Sequence, residues 1–306
     1  MKKLSGAVAV VLAGIVLATA RVSAEELWDP YLRGVNEGLV AGALPPPGVY
    51  GVLDNYWMSY AWHDHDGVKV AGTDLSALVE VPIVLWVPGI RILGADYAAA
   101  IAQPFDYTSS PGLSNTTGAG NWGTFNTILI PGQLSWTLGD FHLKAGFEVY
   151  LPDASSTMVD LLHGHLRNGG MPSGNGYAAV QPDLAVSWLT DGWNLSADLH
   201  LVIPVTADTA TNYNYRSGDE FAADYTAVKT IGHWTLGLGA HQENQLKADT
   251  LNGRPVTHSI ASNLGAGPML GYQFTESGVI AEWNRNIRAR NDVAGDFVNV
   301  RFVVRF

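Results

Sequence analysis

The chain has 306 residues, 47% of them hydrophobic and only 15% charged, with a net charge of −11, 34 glycines and no cysteine. Soluble domains carry nearer 25% charge, yet no apolar run reaches the roughly 20 residues that a helical membrane span needs. The aromatic and β-branched content excludes disorder, the missing cysteines exclude a disulfide or zinc-thiolate scaffold, and an acidic chain with no basic stretch is no nucleic-acid binder.

Residues 1–24 read as a signal peptide. Lys2 and Lys3 precede an apolar core from Ala7 to Ala18, and Val22-Ser23-Ala24 offers small residues before a cleavage point. Removing them takes away three basic residues and no acid, leaving a net charge of about −14. Residues 25–47 follow as a periplasmic amino-terminal segment. Leu32, Val35 and Leu39 leave room for one short amphipathic helix, and Pro45-Pro46-Pro47 favours a stiff, extended exit. This segment either trails outside a barrel or sits inside it as a plug.

From residue 48 to 306 the dominant period is two. Trp193, Leu195, Ala197, Leu199, Leu201, Ile203 and Val205 face one way, with Asn194, Ser196, Asp198 and His200 opposite. Phe141–Leu151 and Val298–Phe306 repeat the pattern. The alternation predicts twelve strands, at 48–63, 74–86, 91–104, 122–138, 140–152, 177–189, 193–205, 219–231, 233–249, 258–274, 278–290 and 296–306. Connections alternate between long ones, such as 105–121 and 153–176, and short ones, such as Gly139 and Gly232. A soluble sandwich has no reason to sort its loops in this way. A transmembrane antiparallel β-barrel does, with short periplasmic turns and longer extracellular loops. Trp86, Trp136, Phe141, Trp188, Trp193, Trp234, Tyr272 and Phe274 cluster near the short turns as an inner aromatic girdle. The chain stops on Phe306, the kind of ending through which barrel assembly machinery recognises its clients. Two positions break the pattern. Asp54 falls among apolar residues and calls for a bulge, and Arg285 would face lipid unless a bulge or a rim position spares it.

Ala41-Gly42-Ala43-Leu44-Pro45-Pro46-Pro47-Gly48 is similar to the start of a family of exported barrels named for the meta-pathway of phenol degradation. Val81-Pro82, Ile92-Leu93-Gly94-Ala95-Asp96-Tyr97 and Gln181-Pro182-Asp183 resemble that family's early and middle strands, so the similarity runs from about Gly42 to Phe306. The resemblance implies a channel in the bacterial outer membrane for aromatic or other hydrophobic compounds.

By parity, Glu80, Asp96, His142, Lys144, Glu148, Asp183, Asp198, His200, Glu282, Arg288, Arg301 and Arg305 line the lumen. Both signs occur, so ion pairs are expected to fill and rigidify it, and the acid excess disfavours anionic solutes. His63-Asp64-His65-Asp66 and His163-Gly164-His165 carry ligand-type side chains in outer loops, with His63 and His65 the candidate metal ligands. No glycine-rich phosphate cradle follows a strand, and no cofactor is expected. The reading is passive uptake of small hydrophobic or aromatic solutes, with outer-membrane lipid as the surroundings. The alternatives are an outer-membrane lipase or protease drawing on Asp64, His65 and Asp66, and a non-conducting structural barrel.

Overall fold

The computed structural model describes residues 27–110, 120–163, 165–166, 171–210 and 213–306; the expected signal peptide lies outside them. Twelve antiparallel strands make one wall. They are β1 (Gly48–His63), β2 (Leu75–Val87), β3 (in two pieces, Ala95–Ala102 and Phe105–Ser109) and β4 (also in two, Asn121–Thr124 and Ile128–Leu138). Next come β5 (Phe141–Tyr150), β6 (Ala179–Thr190), β7 (Trp193–Pro204) and β8 (Glu220–Ile231). The last four are β9 (Trp234–Gln245), β10 (Ser262–Gln273), β11 (Ser277–Arg290) and β12 (Asp292–Arg305). Each pairs with its sequence neighbours, and β12 returns to β1 in an unbroken register from Tyr50 opposite Arg305 to His63 opposite Asp292. Closure leaves no sheet edge to satisfy, which is the condition for strands to cross lipid.

Tight turns define the inner rim. Between β6 and β7 only Asp191 and Gly192 intervene, both at positive φ (46° and 77°). A two-residue hairpin whose twist matches its strands needs that conformation at both positions, hence the Asp-Gly pair. At the outer rim one loop carries a single helical turn, α1 (Met158–Leu162). Two others pair Asp208–Ala210, Tyr213–Arg216, Thr250–Leu251 and Arg254–Pro255 into a small separate sheet. The expected outer loop at 291–295 is much shorter, because Asn291 (φ 47°) alone turns the chain from β11 into β12. The third strand does not stop at Pro104; it breaks there and resumes.

The outward face is apolar and ringed with aromatics. Trp86, Phe141, Trp193, Trp234 and Phe274 are about half exposed beside the inner turns. Farther out, Trp283, Val298, Trp57, Leu78, Tyr107 and Trp122 form one cross-strand row. Aromatic rings at two levels of an apolar wall mark the two membrane interfaces.

The two irregularities expected from the sequence resolve differently. β1 needs no bulge at Asp54. Tyr50, Tyr56, Met58 and Tyr60 point inward with it, and the alternation is hidden because the inward residues are aromatic too. Arg285 does face outward, paired to Asp296 at 3.7 Å, and a bulge follows it, where β11 spends an extra residue between Asn286 and Arg288.

Candidate functional site: the lumen and its internal segment

Residues 27–47 run down inside the barrel, and wall side chains hold them at every level. At the outer end Trp28 donates from Nε1 to the Pro172 carbonyl at 3.1 Å, and Asn175 donates to the Trp28 carbonyl at 2.9 Å. Below it Arg33 reaches Asp29 (2.9 Å), Asp292 (2.6 Å), Glu243 and the Val293 carbonyl (2.6 Å). Midway, Asp224 accepts from the Tyr31 hydroxyl (2.8 Å) and from the backbone N–H groups of Gly34 (3.1 Å) and Asn36 (2.8 Å). Glu37 accepts from Asn284 at 2.8 Å and lies 3.3 Å from the His241 ring nitrogen. Gly239 faces Glu37; a Cβ there would collide with the carboxylate. At the inner end Gly42 donates to Ser187 Oγ (2.7 Å) and accepts from Ser135 Oγ (2.8 Å), while Asn194 holds the Leu39 carbonyl (2.9 Å). At the rim Arg305 and Tyr50 bind the Pro47 and Pro46 carbonyls.

The expected amphipathic helix does not form. Gly34 and Gly38 sit at φ 75° and 79°, so the chain makes successive i to i+3 turns, such as Val35 to Leu32 and Glu37 to Gly34. Each turn frees backbone N–H groups, which the wall carboxylate of Asp224 and the hydroxyl of Thr226 take up.

The lumen has two sides. Along β5 to β12 it is polar, and Asp54 of β1 joins that side. Lys144 pairs with Asp198 at 3.4 Å, His200 lies between Asp198 (3.4 Å) and Gln181 (3.0 Å), and its ring packs 4.4 Å from Tyr31. Asp183 and Glu282 are buried on this face, and Asn299 donates to Glu282 at 3.1 Å. Arg301 donates to Asp54, to the Glu37 carbonyl and to the Val35 carbonyl. Along β2 to β4 the lumen is apolar. A cavity of about 90 Å³ lies between that wall and the internal segment, lined by Leu32, Val35, Val79, Val81, Ile83, Ala102, Phe125, Ile128 and Ile130, with Asn36, Asn126, Glu148 and Tyr150 at its polar corner.

Of the residues assigned inward by parity, Lys144, Glu148, Asp183, Asp198, His200, Glu282 and Arg301 face the lumen. Asp96, His142 and Arg305 sit at its inner rim, half-exposed or exposed, with Asp96 paired to Arg91 at 2.9 Å. Two assignments are wrong. Glu80 faces outward beside Asn55, because the inward residues of β2 are Val79 and Val81. Arg288 faces outward because the β11 bulge reverses the parity beyond Asn286, so that Ala289 points in instead. Sequence reasoning also missed Arg33, Glu37, Asp224, His241 and Glu243, although Asp54 breaking an apolar strand was a visible sign of lumenal pairing.

The candidate metal ligands do not converge. His63 Nδ1 lies 3.0 Å from the Ala61 carbonyl, whereas His65 faces Asp66 (3.3 Å) and packs, with rings tilted, 4.9 Å from His258. Asp64 is spent on its loop. The Val68 and Asp66 backbone N–H groups bind its carboxylate, Val68 foremost, and hold its pKa below the usual range. Among the described residues, the carboxylates of Asp29, Glu243 and Asp292 lie within 4.8 Å of one another, but the Arg33 guanidinium already occupies the place of a cation.

No curated protein matches the chain in sequence. The family described as MetA-pathway of phenol degradation matches residues 63–302. Among solved structures the chain is similar to the COG4313 outer membrane channel from Pseudomonas putida F1, with 15% identity and a TM-score of 0.69 over 87% of this chain and 98% of that one. It is also similar to the translocator domain of the autotransporter NalP from Neisseria meningitidis (14% identity, TM-score 0.49, 87% and 91% covered). A further match is the Ralstonia pickettii toluene transporter TbuX (11% identity, TM-score 0.39, 86% and 90% covered). The first of these shares the barrel fold, that of a bacterial outer-membrane protein.

Proposed function

The chain belongs to the MetA-pathway of phenol degradation family, and from the shape of its lumen we propose that it is an outer-membrane channel for passive entry of small apolar compounds, single-ring aromatics among them. The observation that carries this reading is the apolar cavity between the internal segment and β2–β4, in a barrel whose other side is lined with buried charge. A polar porin would have no use for it. Above the cavity, Asp29, Glu220, Glu243, Asp249 and Asp292 line an acidic outer mouth with Arg33 inside it. That field repels anions and is indifferent to neutral rings.

Residues 27–47 serve as an internal plug. The resting cavity of about 90 Å³ is smaller than the roughly 150 Å³ void known to hold benzene, so transit requires a side chain or the segment to move. Phe306, four-fifths exposed just beyond β12, is open to contact by barrel assembly machinery.

The test is solute entry into intact cells, because aromatic hydrocarbons cross plain phospholipid vesicles unaided. Cells carrying the barrel should take up toluene and phenol several-fold faster than cells without it, and maltotriose no faster. Equal acceleration of all three would make it a general pore, and no acceleration of any would end the channel reading.

A further inference from the structure

Cations are scarce in this chain, 17 against 28 acids, and most of those in the described residues are spent within the protein. At the inner rim Arg91 meets Asp96, Lys229 donates to the Asp191 carbonyl and Arg305 to the Pro47 carbonyl. Arg33, Lys144 and Arg301 are paired in the lumen, and at the outer rim Lys69 meets Asp74 and Lys247 meets Asp219. Among the described residues four cations have neither an ion pair nor a hydrogen bond: Arg216, Arg254, Arg288 and Arg290. All four are arginines, all are exposed, and all lie at the outer end of one side of the barrel. Arg288 and Arg290 are on β11, and Arg216 and Arg254 are in the small sheet made by the loops from β7 to β8 and from β9 to β10.

The bulge in β11 builds this patch. In a regular strand Arg285 and Arg288 would face opposite ways. The extra residue between Asn286 and Arg288 turns Arg288 and Arg290 to the outward side that Arg285 already takes. Arg285 is two residues beyond Trp283 of the outer aromatic row and Arg290 seven beyond it. On a tilted strand the three therefore stand roughly 5–15 Å above that row, the level of headgroup phosphates and the sugars that carry them. Asn291 alone turns β11 into β12, so that hairpin has no long loop to fold back over them. On the paired strands β10 and β12 the one outward acid above the row is Asp296, 3.7 Å from Arg285 and beyond hydrogen-bond reach. Opposite Arg288 and Arg290 stand Leu264 and Ser262, and beyond these Gln242 and Asn244. Amide and hydroxyl groups thus adjoin the two guanidinium groups, and no carboxylate does.

An exposed guanidinium without a partner at this level finds its counter-charge in the membrane itself. Its planar fork matches a phosphate group with two parallel hydrogen bonds, and clustered cations at a membrane boundary hold lipid phosphates. We propose that the outward face of β8–β11, above the aromatic row, binds the phosphorylated glycolipid of the outer leaflet. Arg288 and Arg290 hold its phosphates, Gln242, Asn244 and Ser262 its sugar hydroxyls, and Arg216 and Arg254 extend the basic surface into the loops. The site is independent of which solute crosses the lumen.

The test titrates the purified barrel in detergent with rough-type lipopolysaccharide, with the same glycolipid stripped of phosphate, and with phosphatidylglycerol, reading bound lipid by native mass spectrometry. The wild-type barrel should retain the phosphorylated glycolipid and release the other two. Arg288→Gln/Arg290→Gln should weaken that retention about tenfold. Arg91→Gln/Lys229→Gln removes the same charge from the inner rim and should leave it unchanged. Heat-modifiable migration checks that each barrel is closed; if the glutamine pair does not close, Arg288→Lys/Arg290→Lys, which keeps the charge and loses the fork, should weaken retention several-fold in its place. Retention equal to wild type in the closed β11 variant, or an equal loss in the inner-rim control, overturns the site. Equal retention of the dephosphorylated glycolipid also overturns it, leaving a contact with sugar or acyl chains alone. Equal retention of phosphatidylglycerol overturns it in favour of a general anionic contact.

Discussion

Arg301 on β12 and Asp54 on β1 meet inside the barrel at 2.8 Å, Nε to Oδ1, across the seam where the last strand closes onto the first. The same guanidinium donates to the backbone carbonyls of Glu37 and Val35. One side chain therefore joins the two ends of the wall to the internal segment. Its planar fork of donors suits three acceptors at once, which an ammonium group on a flexible stem does not. Arg301→Ala should release the middle of the segment and raise single-channel conductance, and Arg301→Lys should fail to restore it. Removing one member of a buried pair costs about 3–5 kcal/mol, so heat-modifiable migration in detergent checks that the barrel still closes. Wild-type conductance in a folded Arg301→Ala protein would remove this residue from the control of the pore.

The architecture was legible because a closed wall repeats one rule, apolar outward and polar inward, in nearly every strand. It failed where the lumen itself is apolar. Tyr56, Met58, Val79 and Val81 point inward against the internal segment or its cavity, so β1 showed no alternation and Glu80 was placed on the wrong face. Arg288 was lost to one extra residue in β11, which no local pattern announces. The docking of the segment was beyond reach for another reason. Arg33 meets Glu243 and Asp292, and Glu37 meets Asn284, across more than 200 residues of sequence.

Three carboxylates around one guanidinium make the outer mouth sensitive to pH. Burial, and then the charge of Asp292, push the Asp29 carboxyl from 3.8 up to about 6, against the pull of Arg33. The docked segment thus keeps a proton on Asp29 up to about pH 6, whereas a released Asp29 loses it near 3.8. Across that window the docked state binds more protons, so docking is strongest at low pH, weakens as pH rises through about 6, and levels off above. Conductance recorded from pH 4 to 8 should rise with pH and then reach a plateau. Asp29→Asn, which is neutral throughout, should flatten the profile; a slope that persists in this variant would place the sensor elsewhere.

Gly42 fixes the lower end of the segment by close approach alone. An added Cβ would meet the His142 carbonyl and the Ser187 amide nitrogen, both backbone atoms of adjoining strands that cannot give way. Gly42→Ala should therefore lift the segment from Ser135 and Ser187 and lose both hydrogen bonds, while the wall persists. Faster proteolytic cleavage within residues 39–46 of the detergent-solubilised barrel, with unchanged migration of the wall, is the expected result. Protection equal to wild type would show that the inner end tolerates the methyl group.

Apolar and ionic traffic should be separable, because the cavity and the charged face lie on opposite sides of the internal segment. Ala102 borders the cavity and is buried, so Ala102→Leu directs extra carbons into a void of about 90 Å³ without touching Arg301, Lys144 or Asp198. Overpacking of this kind typically costs only about 1–3 kcal/mol, which a closed barrel withstands. Entry of toluene and phenol into intact cells should fall several-fold while single-channel conductance stays within error of wild type. Falling conductance with unchanged aromatic entry would reverse the assignment and give the polar face to the solute. The variant thus tests whether the apolar side of this lumen is a passage or only a filled core.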